Sequence, residues 1–197
     1  MNPLPTQADL FAAPAPPEPQ GLVYVEDLIS AVEEADLVAR FATLPFEAFD
    51  FQGFKGNRRV VYFGWSYDFS RGRVAEAPAI PDWIVPLRAR AAALAGVEGE
   101  ALVQLLINEY RPGAGIGWHR DRPQFGKVVG VSLGAPAVMR FRRPRGDGGW
   151  VRAARSLAPR SAYLLDGPAR EEWQHSILPG ERTRWSATFR TLRATTV

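Results

Sequence analysis

The chain has 197 residues, of which 46% are hydrophobic and 23% are charged, a composition typical of globular proteins. It contains no cysteine, which excludes a disulfide framework, a thiolate zinc site and a cysteine nucleophile. No apolar run is long enough to span a membrane, and the N-terminus lacks the features of a secretory signal. We therefore expect a cytoplasmic, monomeric protein that does not bind membranes.

Basic charge is concentrated in the C-terminal part of the chain. Residues 1–57 carry a net charge of −7, whereas residues 58–197 carry +10. Of the 24 basic residues, 22 are Arg, whose planar guanidinium suits phosphates and carboxylates. A genome that favours Arg codons explains the same bias, so the charge alone does not identify a partner.

The predicted elements begin after residue 20. Residues 1–20 contain six Pro and no periodic apolar face, and we interpret them as a disordered arm. Ser30 and Glu33 form a capping-box pattern that predicts a helix to about Phe41. A second helical pattern covers residues 81–95, and β-branched and aromatic residues over 58–69 predict a strand or hairpin.

The remainder of the chain has the pattern of a β protein. Candidate strands cover residues 101–110, 127–133, 137–143, 150–156, 161–165 and 184–192. Many short strands at close spacing favour a barrel or a sandwich. The sequence therefore predicts an α+β fold with two flanking helices and a β-rich core.

Three residues suggest a metal site. His119 and Asp121 lie two residues apart after a Gly-rich turn, so an extended backbone points both side chains to one side. His175 precedes another strand-like run. Two His and one carboxylate on one face of a metal leave open positions, as in non-haem Fe(II) oxygenases. His-x-Asp also occurs by chance, and a lone His is most often structural.

The last predicted strand has two chemically different faces. Alternation places Arg184, Ser186, Thr188 and Arg190 on one face and apolar residues on the other. If the polar face points into a barrel, each unpaired Arg costs several kcal/mol, and an anionic ligand is expected to compensate. The alternative is a half-exposed strand whose Arg side chains are solvated.

A second polar pair follows a nearly apolar strand. Asn108 and Tyr110 share a face at the end of strand 101–110. A buried polar group without a partner costs roughly 1–3 kcal/mol. Either a ligand or the neighbouring backbone satisfies this pair.

Together these motifs resemble the AlkB-type dioxygenases, which use Fe(II), 2-oxoglutarate and O2. The resemblance covers about residues 100–193, and it is carried in order by Asn108–Gly113, His119-x-Asp121, Val131–Gly134, His175–Ile177 and Arg184-x5-Arg190. It implies a double-stranded β-helix, or jelly roll, within one domain over residues 21–197. It also implies that iron is held by His119, Asp121 and His175.

The resemblance further implies how 2-oxoglutarate is held. Arg184 pairs with the distal carboxylate, aided by Tyr110, and Arg190 lies near the carboxylate beside the keto group, aided by Asn108. Ser186 stands where the family founder has an Asn that contacts the distal carboxylate, which weakens that contact. Pro123 stands where the founder has a second acid that helps to recognise the base, so the preferred base stays open.

The implied substrate is methylated DNA or RNA, presented as a single strand or as a flipped base. Residues 58–75 correspond to the nucleotide-recognition hairpin, and its candidate contacts are Arg58, Arg59, Tyr62, Trp65 and Tyr67. Residues 140–160 form a basic hairpin with seven Arg and one acid. Three alternatives remain: aromatics that belong to the core, oxygenase chemistry on a protein or small molecule, and a catalytically silent nucleic-acid-binding module.

Overall fold

The computed structural model describes residues 18–51, 54–68 and 73–193. Residues 1–17 of the predicted arm and the side chain of Tyr67 lie outside the described part of the chain. Three α-helices are present in that part, α1 over Ala31–Ala42, α2 over Val85–Ala95 and α3 over Gly167–Glu171. None of the helices in the described ranges is both long and apolar enough to cross a membrane.

The first helix begins at its predicted cap, whereas α2 begins at Val85, after a 3-10 turn over Asp82–Ile84 at the predicted start, and ends at the predicted residue. The Ser30 hydroxyl accepts a hydrogen bond from the Glu33 amide at 3.2 Å, and the Glu33 carboxylate accepts one from the Ser30 amide at 2.9 Å. Pro86 lies in the first turn of α2, where its missing N–H costs nothing. Gly96 ends α2 with φ +63°, a conformation that glycine adopts easily. Both predicted helices are confirmed.

Thirteen strands make up the rest of the described structure. They are β1 (Leu22–Val25), β2 (Glu47–Phe51), β3 (Phe54–Phe63), β4 (Trp65–Asp68), β5 (Arg73–Glu76), β6 (Leu102–Tyr110), β7 (Ile116–His119), β8 (Phe125–Gly134), β9 (Ala137–Pro144), β10 (Trp150–Leu157), β11 (Ala162–Leu165), β12 (Gln174–Ile177) and β13 (Arg184–Leu192). All six strands predicted over residues 101–192 are confirmed. The pattern did not predict β2, β5 or β7 as strands.

The strands form two main antiparallel sheets. The major sheet has the order β1-β11-β8-β13-β6-β3-β2, and the minor sheet has the order β10-β9-β12-β7. Strands β4 and β5 form a separate hairpin. This arrangement is the double-stranded β-helix, as expected.

The major sheet has one face covered by helices and one face turned toward the minor sheet. Leu105, Ile107 and Phe189 pack against α1 and α2 in the larger hydrophobic cluster. Val128 and Leu165 pack against Met139 and Phe141 of the minor sheet in a second cluster. The space between the sheets is therefore partly an apolar core, and polar residues occupy the remainder.

Strand register aligns those polar residues. In the β13–β6 pairing, Arg184 lies opposite Tyr110, Ser186 opposite Asn108, and Arg190 opposite Gln104. Residues directly opposite one another share a face, so the polar face of β13 points between the sheets. Arg184 is 4% exposed and Arg190 is 9% exposed. The alternative of a solvated Arg face is therefore wrong.

A glycine makes room for a large side chain between the sheets. Gly130 lies opposite Tyr163 in the β11–β8 pairing, and the tyrosine ring folds over it. A Cβ at Gly130 would lie 2.3 Å from Cζ of Tyr163, far inside van der Waals contact. The Tyr163 ring therefore occupies space that only a glycine at position 130 leaves free.

This contact gives a stability prediction. Gly130→Ala is expected to lower the free energy of unfolding by about 1–3 kcal/mol, because the buried ring cannot move without straining its neighbours. Urea denaturation followed by circular dichroism measures the change. In the Tyr163→Ala background the same substitution is expected to cost much less. An equal cost in both backgrounds contradicts the proposed clash.

Candidate active site

The three candidate metal ligands meet on the inner face of the minor sheet. His175 of β12 lies opposite His119 of β7, and their ring centroids are 4.3 Å apart. Asp121 follows β7 by two residues, and its Oδ2 lies 3.6 Å from Nε2 of His175. Two distant parts of the chain thus bring two imidazoles and a carboxylate together.

The charge states of these groups suit a cation. Burial lowers the pKa of His119, and it lowers that of His175 to about 3, with the neighbouring His119 adding to the effect. Burial opposes ionisation of Asp121, but Arg190 together with His175, His119 and Arg170 outweighs it, so the pKa of this carboxyl is held below its usual value. The site therefore presents two neutral imidazoles and one carboxylate, the forms that bind metals.

Hydrogen bonding also orients one of the imidazoles. Nδ1 of His119 lies 2.9 Å from the Gly117 carbonyl, which assigns the proton to Nδ1 and leaves the lone pair of Nε2 available for a cation. Nε2 of His175 faces Asp121.

The donor chemistry fits a non-haem Fe(II) ion. Within the described ranges, no group of three or more His, Cys, Asp or Glu side chains is already arranged around a metal position. The carboxylate of Asp121 is instead drawn toward Arg190, with 2.6 Å between Nη2 of Arg190 and Oδ1. Binding an ion between the three side chains therefore requires a side-chain adjustment.

Arg190 is fully engaged within the protein. Its Nε donates to Oδ1 of Asp121 at 2.9 Å, and its Nη1 donates to Oε1 of Gln104 at 2.8 Å. The strand register puts Gln104 opposite Arg190 and Asn108 opposite Ser186, so Gln104 contacts this guanidinium. Both Asn108 and Gln104 lie on the inner face, and only the register distinguishes them.

Arg184 differs, because part of its guanidinium has no partner. Its Nε donates to the Ser132 hydroxyl at 3.0 Å, and its Cζ lies 5.1 Å from the centre of the Tyr110 ring. Its Nη1 is buried and has no hydrogen-bond partner among the described residues. Such a group is costly to leave unsatisfied, so the site has an unmet requirement for an anion.

A dicarboxylate such as 2-oxoglutarate meets that requirement. The unpartnered Nη1 of Arg184 is a charge-assisted donor for a carboxylate, and Tyr110 lies beside it. The other end of the inner face carries the candidate metal ligands. A ligand that has a carboxylate at one end and a metal-binding keto acid at the other matches the chemistry of both groups.

Asn108 contacts residues other than those expected. Its Oδ1 accepts from Nη1 of Arg58 at 2.8 Å, and its Nδ2 donates to the Ser186 hydroxyl at 3.3 Å. Arg58 is 8% exposed, and its guanidinium also stacks on Phe49 at 3.8 Å. The structure thus places Arg58, a predicted substrate contact, among the polar residues that point between the sheets, where it orients Asn108. We call these inward-facing polar residues the polar row.

The other predicted substrate contacts lie around the same strand. Arg59 points to the opposite face and pairs with Glu109 at 2.6 Å. Tyr62 shares the inner face with Arg58, and burial raises its pKa. The Trp65 carbonyl accepts from Nε2 of Gln104 at 2.8 Å, which joins the β4 hairpin to the polar row. Tyr67 lies in β4, and its side chain is outside the described part.

Three residues of the site escaped sequence analysis. Gln104 holds Arg190. Tyr163 is buried, its pKa is raised by that burial, and Arg184 and Tyr110 are among its charged or polar neighbours. Arg170 donates to the Arg122, Phe125 and Gly126 carbonyls and so secures the loop after Asp121. Only the polar character of Gln104 in an apolar strand could have signalled one of them.

Comparisons with known proteins identify the family and the fold. The model of the 2OG-Fe(II) oxygenase superfamily matches residues 21–194. Among solved structures, that of OsALKBH1 superposes with a TM-score of 0.67 at 17% identity, covering 88% of this chain and 97% of that one. At this identity the superposition supports the fold alone.

Curated relatives are similar over most of the chain. A mouse protein named tRNA (carboxymethyluridine(34)-5-O)-methyltransferase ALKBH8 is 30% identical over 82% of this chain and 24% of its own length. An Arabidopsis thaliana protein, Alkylated DNA repair protein ALKBH8 homolog, is 29% identical over 80% of this chain and 50% of its own. The zebrafish Probable RNA/DNA demethylase ALKBH6 is 29% identical over 64% and 52%. The chain thus spans about a quarter to a half of these relatives.

The unpartnered guanidinium of Arg184 gives a binding prediction. Arg184→Ala is expected to weaken 2-oxoglutarate binding by about 10-fold or more, because a hydrogen bond to a charged group contributes roughly 1.5–3 kcal/mol. Isothermal titration calorimetry in the presence of Mn(II) measures the affinity. Arg193→Ala, which removes an exposed Arg paired with Glu171, is the matched control. If both variants bind 2-oxoglutarate as the unaltered chain does, the assigned position of the cosubstrate is wrong.

Proposed function

The chain belongs to the AlkB-type members of the 2OG-Fe(II) oxygenase superfamily, and from this premise we propose that it oxidatively demethylates alkylated nucleic-acid bases. The reaction consumes 2-oxoglutarate and O2 and releases succinate, CO2 and formaldehyde. The proposal includes Fe(II) as the metal, with His119, Asp121 and His175 as its ligands.

One observation carries the oxygenase part of the proposal. A set of two neutral imidazoles and one carboxylate lies between the sheets together with a buried guanidinium nitrogen that lacks a partner. The first feature suits a divalent iron and the second suits a carboxylate. Their presence on the same inner face favours a reaction that needs both ligands at once.

Different residues of the chain hold the metal and 2-oxoglutarate. His119, Asp121 and His175 would hold the metal as its three protein ligands. Arg184 and Tyr110 hold the distal carboxylate of 2-oxoglutarate. Arg190 holds Asp121 in its ionised form. When bound, the iron supplies the oxidising chemistry that splits 2-oxoglutarate and hydroxylates an N-methyl group, which then leaves as formaldehyde.

Charge and similarity support a nucleic-acid substrate. Residues 58–197 carry a net charge of +10, which suits a polyanion. The names of the Arabidopsis and zebrafish relatives refer to repair or demethylation of nucleic acid. The methyltransferase activity in the name of the mouse relative is not part of the proposal, because the chain matches only 24% of that protein.

The direct test measures succinate and formaldehyde with Fe(II), 2-oxoglutarate and a panel of methylated DNA, RNA and tRNA. We expect succinate and formaldehyde to be released together on one class of substrate, and His119→Ala to release neither. Succinate without coupled formaldehyde supports a protein or small-molecule substrate instead. If neither product forms although iron is bound, the chain is a nucleic-acid-binding module.

Asp121 gives a second prediction that separates chemistry from stability. Asp121→Ala is expected to abolish turnover and also to cost about 3–5 kcal/mol in the free energy of unfolding, because Arg190 then stays buried without its carboxylate. Asp121→Asn is expected to abolish turnover at a smaller cost in stability, because the amide oxygen still accepts from Arg190. Product assays and urea denaturation give the two quantities. Wild-type turnover in either variant contradicts the ligand assignment.

A further inference from the structure

The seven Arg residues of the segment 140–160 differ in what they contact. Four of them pair with acids, namely Arg143 with Glu172, Arg145 with Asp147, Arg155 with Glu18, and Arg160 with Asp27 and Glu34. Among the described residues, no acid pairs with Arg140, Arg142 or Arg152. Within this segment, the positive charge without an acidic partner therefore comes from these three residues.

These three residues lie on one face of the minor sheet. Arg142 is opposite Arg152 in the β10–β9 pairing, and Arg140 is two residues before Arg142 on the same strand. Between them, Phe141 points inward and is fully buried. The three guanidiniums therefore emerge on the outer side of the sheet, on the opposite side from His175.

Two tryptophans on the same face stack with the guanidiniums. Cζ of Arg140 lies 4.8 Å from the Trp118 ring centre, and Cζ of Arg142 lies 4.4 Å from the same ring. Arg142 also lies 4.3 Å from the Trp150 ring centre. Trp150 is 38% exposed, so it keeps free aromatic surface. We call Trp118, Arg140, Arg142, Trp150 and Arg152 the Arg–Trp face.

Two of these arginines are held in a fixed orientation. Nε of Arg140 donates to the Ser176 hydroxyl at 3.1 Å, and Nε of Arg142 donates to Oε1 of Gln174 at 2.8 Å. Their terminal nitrogens have no partner within the part of the chain that the structure describes. Stacking fixes the plane of a guanidinium but leaves its edge free, and that edge is the one that binds phosphate in a bidentate manner.

We propose that the Arg–Trp face binds single-stranded nucleic acid outside the catalytic site, with phosphates on Arg140, Arg142 and Arg152 and a base stacked on Trp150. Aromatic surfaces among cations are the usual means of binding single strands without sequence preference. Residues two apart on a strand are about 6.8 Å apart, a spacing compatible with successive phosphates of an extended strand. The inference deepens the proposed function and rests on it for the identity of the polymer.

The face also has a direct path to the catalytic site. Trp118 lies on β7, the edge strand of the minor sheet, and it immediately precedes His119. A strand that crosses the Arg–Trp face and passes this edge reaches the side of the sheet that carries the candidate metal ligands. The face therefore positions the polymer, while the catalytic site selects the modified base.

The test measures binding without chemistry. The full chain is titrated into fluorescein-labelled unmodified oligouridylate, and anisotropy is followed over a range of salt concentrations. Arg140→Gln/Arg142→Gln is expected to weaken binding on the order of tenfold and to reduce the salt slope by about 1.4, because each lost phosphate contact on a single strand contributes roughly 0.7. Arg155→Gln/Arg193→Gln removes the same charge from acid-paired positions and is expected to leave the slope unchanged.

A second pair of variants tests the stacking. Trp150→Ala is expected to weaken binding by roughly fivefold or more, whereas Trp150→Phe retains most of the affinity. Circular dichroism and thermal melting confirm that every variant is folded. Equal affinity of the Arg140→Gln/Arg142→Gln variant and the unaltered chain overturns the inference. Displacement of the oligonucleotide by polyglutamate as readily as by unlabelled oligouridylate also overturns it.

Binding by the Arg–Trp face and the proposed demethylation can be tested separately. Turnover of a methylated mononucleoside does not need the Arg–Trp face, so Arg140→Gln/Arg142→Gln is expected to retain it while losing activity on oligonucleotides. If no substrate yields formaldehyde but the affinity differences appear, the face stands and the proposed reaction fails. If formaldehyde is released and the affinity differences are absent, the reaction stands and the face fails.

Discussion

The site depends on the burial of two guanidiniums on one face of β13. Each of them costs several kcal/mol to remove from water unless it is paired, and the fold treats the two in different ways. Arg190 is satisfied by Asp121 and Gln104. Arg184 has only Ser132 and keeps a buried nitrogen without a partner among the described residues. At one end of β13 the protein itself supplies the partners of the Arg190 guanidinium. At the other end a ligand is needed to supply the missing partner of Arg184.

The pairing of Arg190 with Asp121 links the cosubstrate side of the site to the metal side. Oδ1 of Asp121 is held by Arg190, while Oδ2 faces His175. The Arg190 charge is the largest of the contributions that lower the pKa of the buried Asp121 carboxyl, and His175, His119 and Arg170 add to it. This proposed metal ligand is therefore held in its charged form by the surrounding protein groups. Arg190 acts on the metal site through Asp121, in addition to any contact with 2-oxoglutarate.

Local pattern was sufficient for both longer helices, for most of the strands and for the faces of β13, but it was insufficient to predict which side chains contact one another. Alternation along 184–190 correctly placed both Arg on one face, and the capping box correctly placed the first helix. Alternation does not fix register, so it could not show that Gln104, rather than Asn108, meets Arg190. Tyr163 was missed for a similar reason, because its inward position depends on Gly130 in a strand that is distant in sequence. The short strand β7 lies in a Gly-rich stretch that resembles a turn, and only its pairing with β12 makes it a strand.

In the minor sheet, neighbouring residues of one strand point to opposite faces, so the same strand contributes to the inner site and to the outer face. On β12, His175 points inward, while its neighbours Gln174 and Ser176 point outward and anchor Arg142 and Arg140. On β7, the same relation holds between His119 and Trp118. The strands that carry the two imidazoles on their inner face therefore carry the contacts of Arg140 and Arg142 on their outer face. A polymer bound on the outer face contacts these strands beside the candidate site, while the inner face keeps its own contacts.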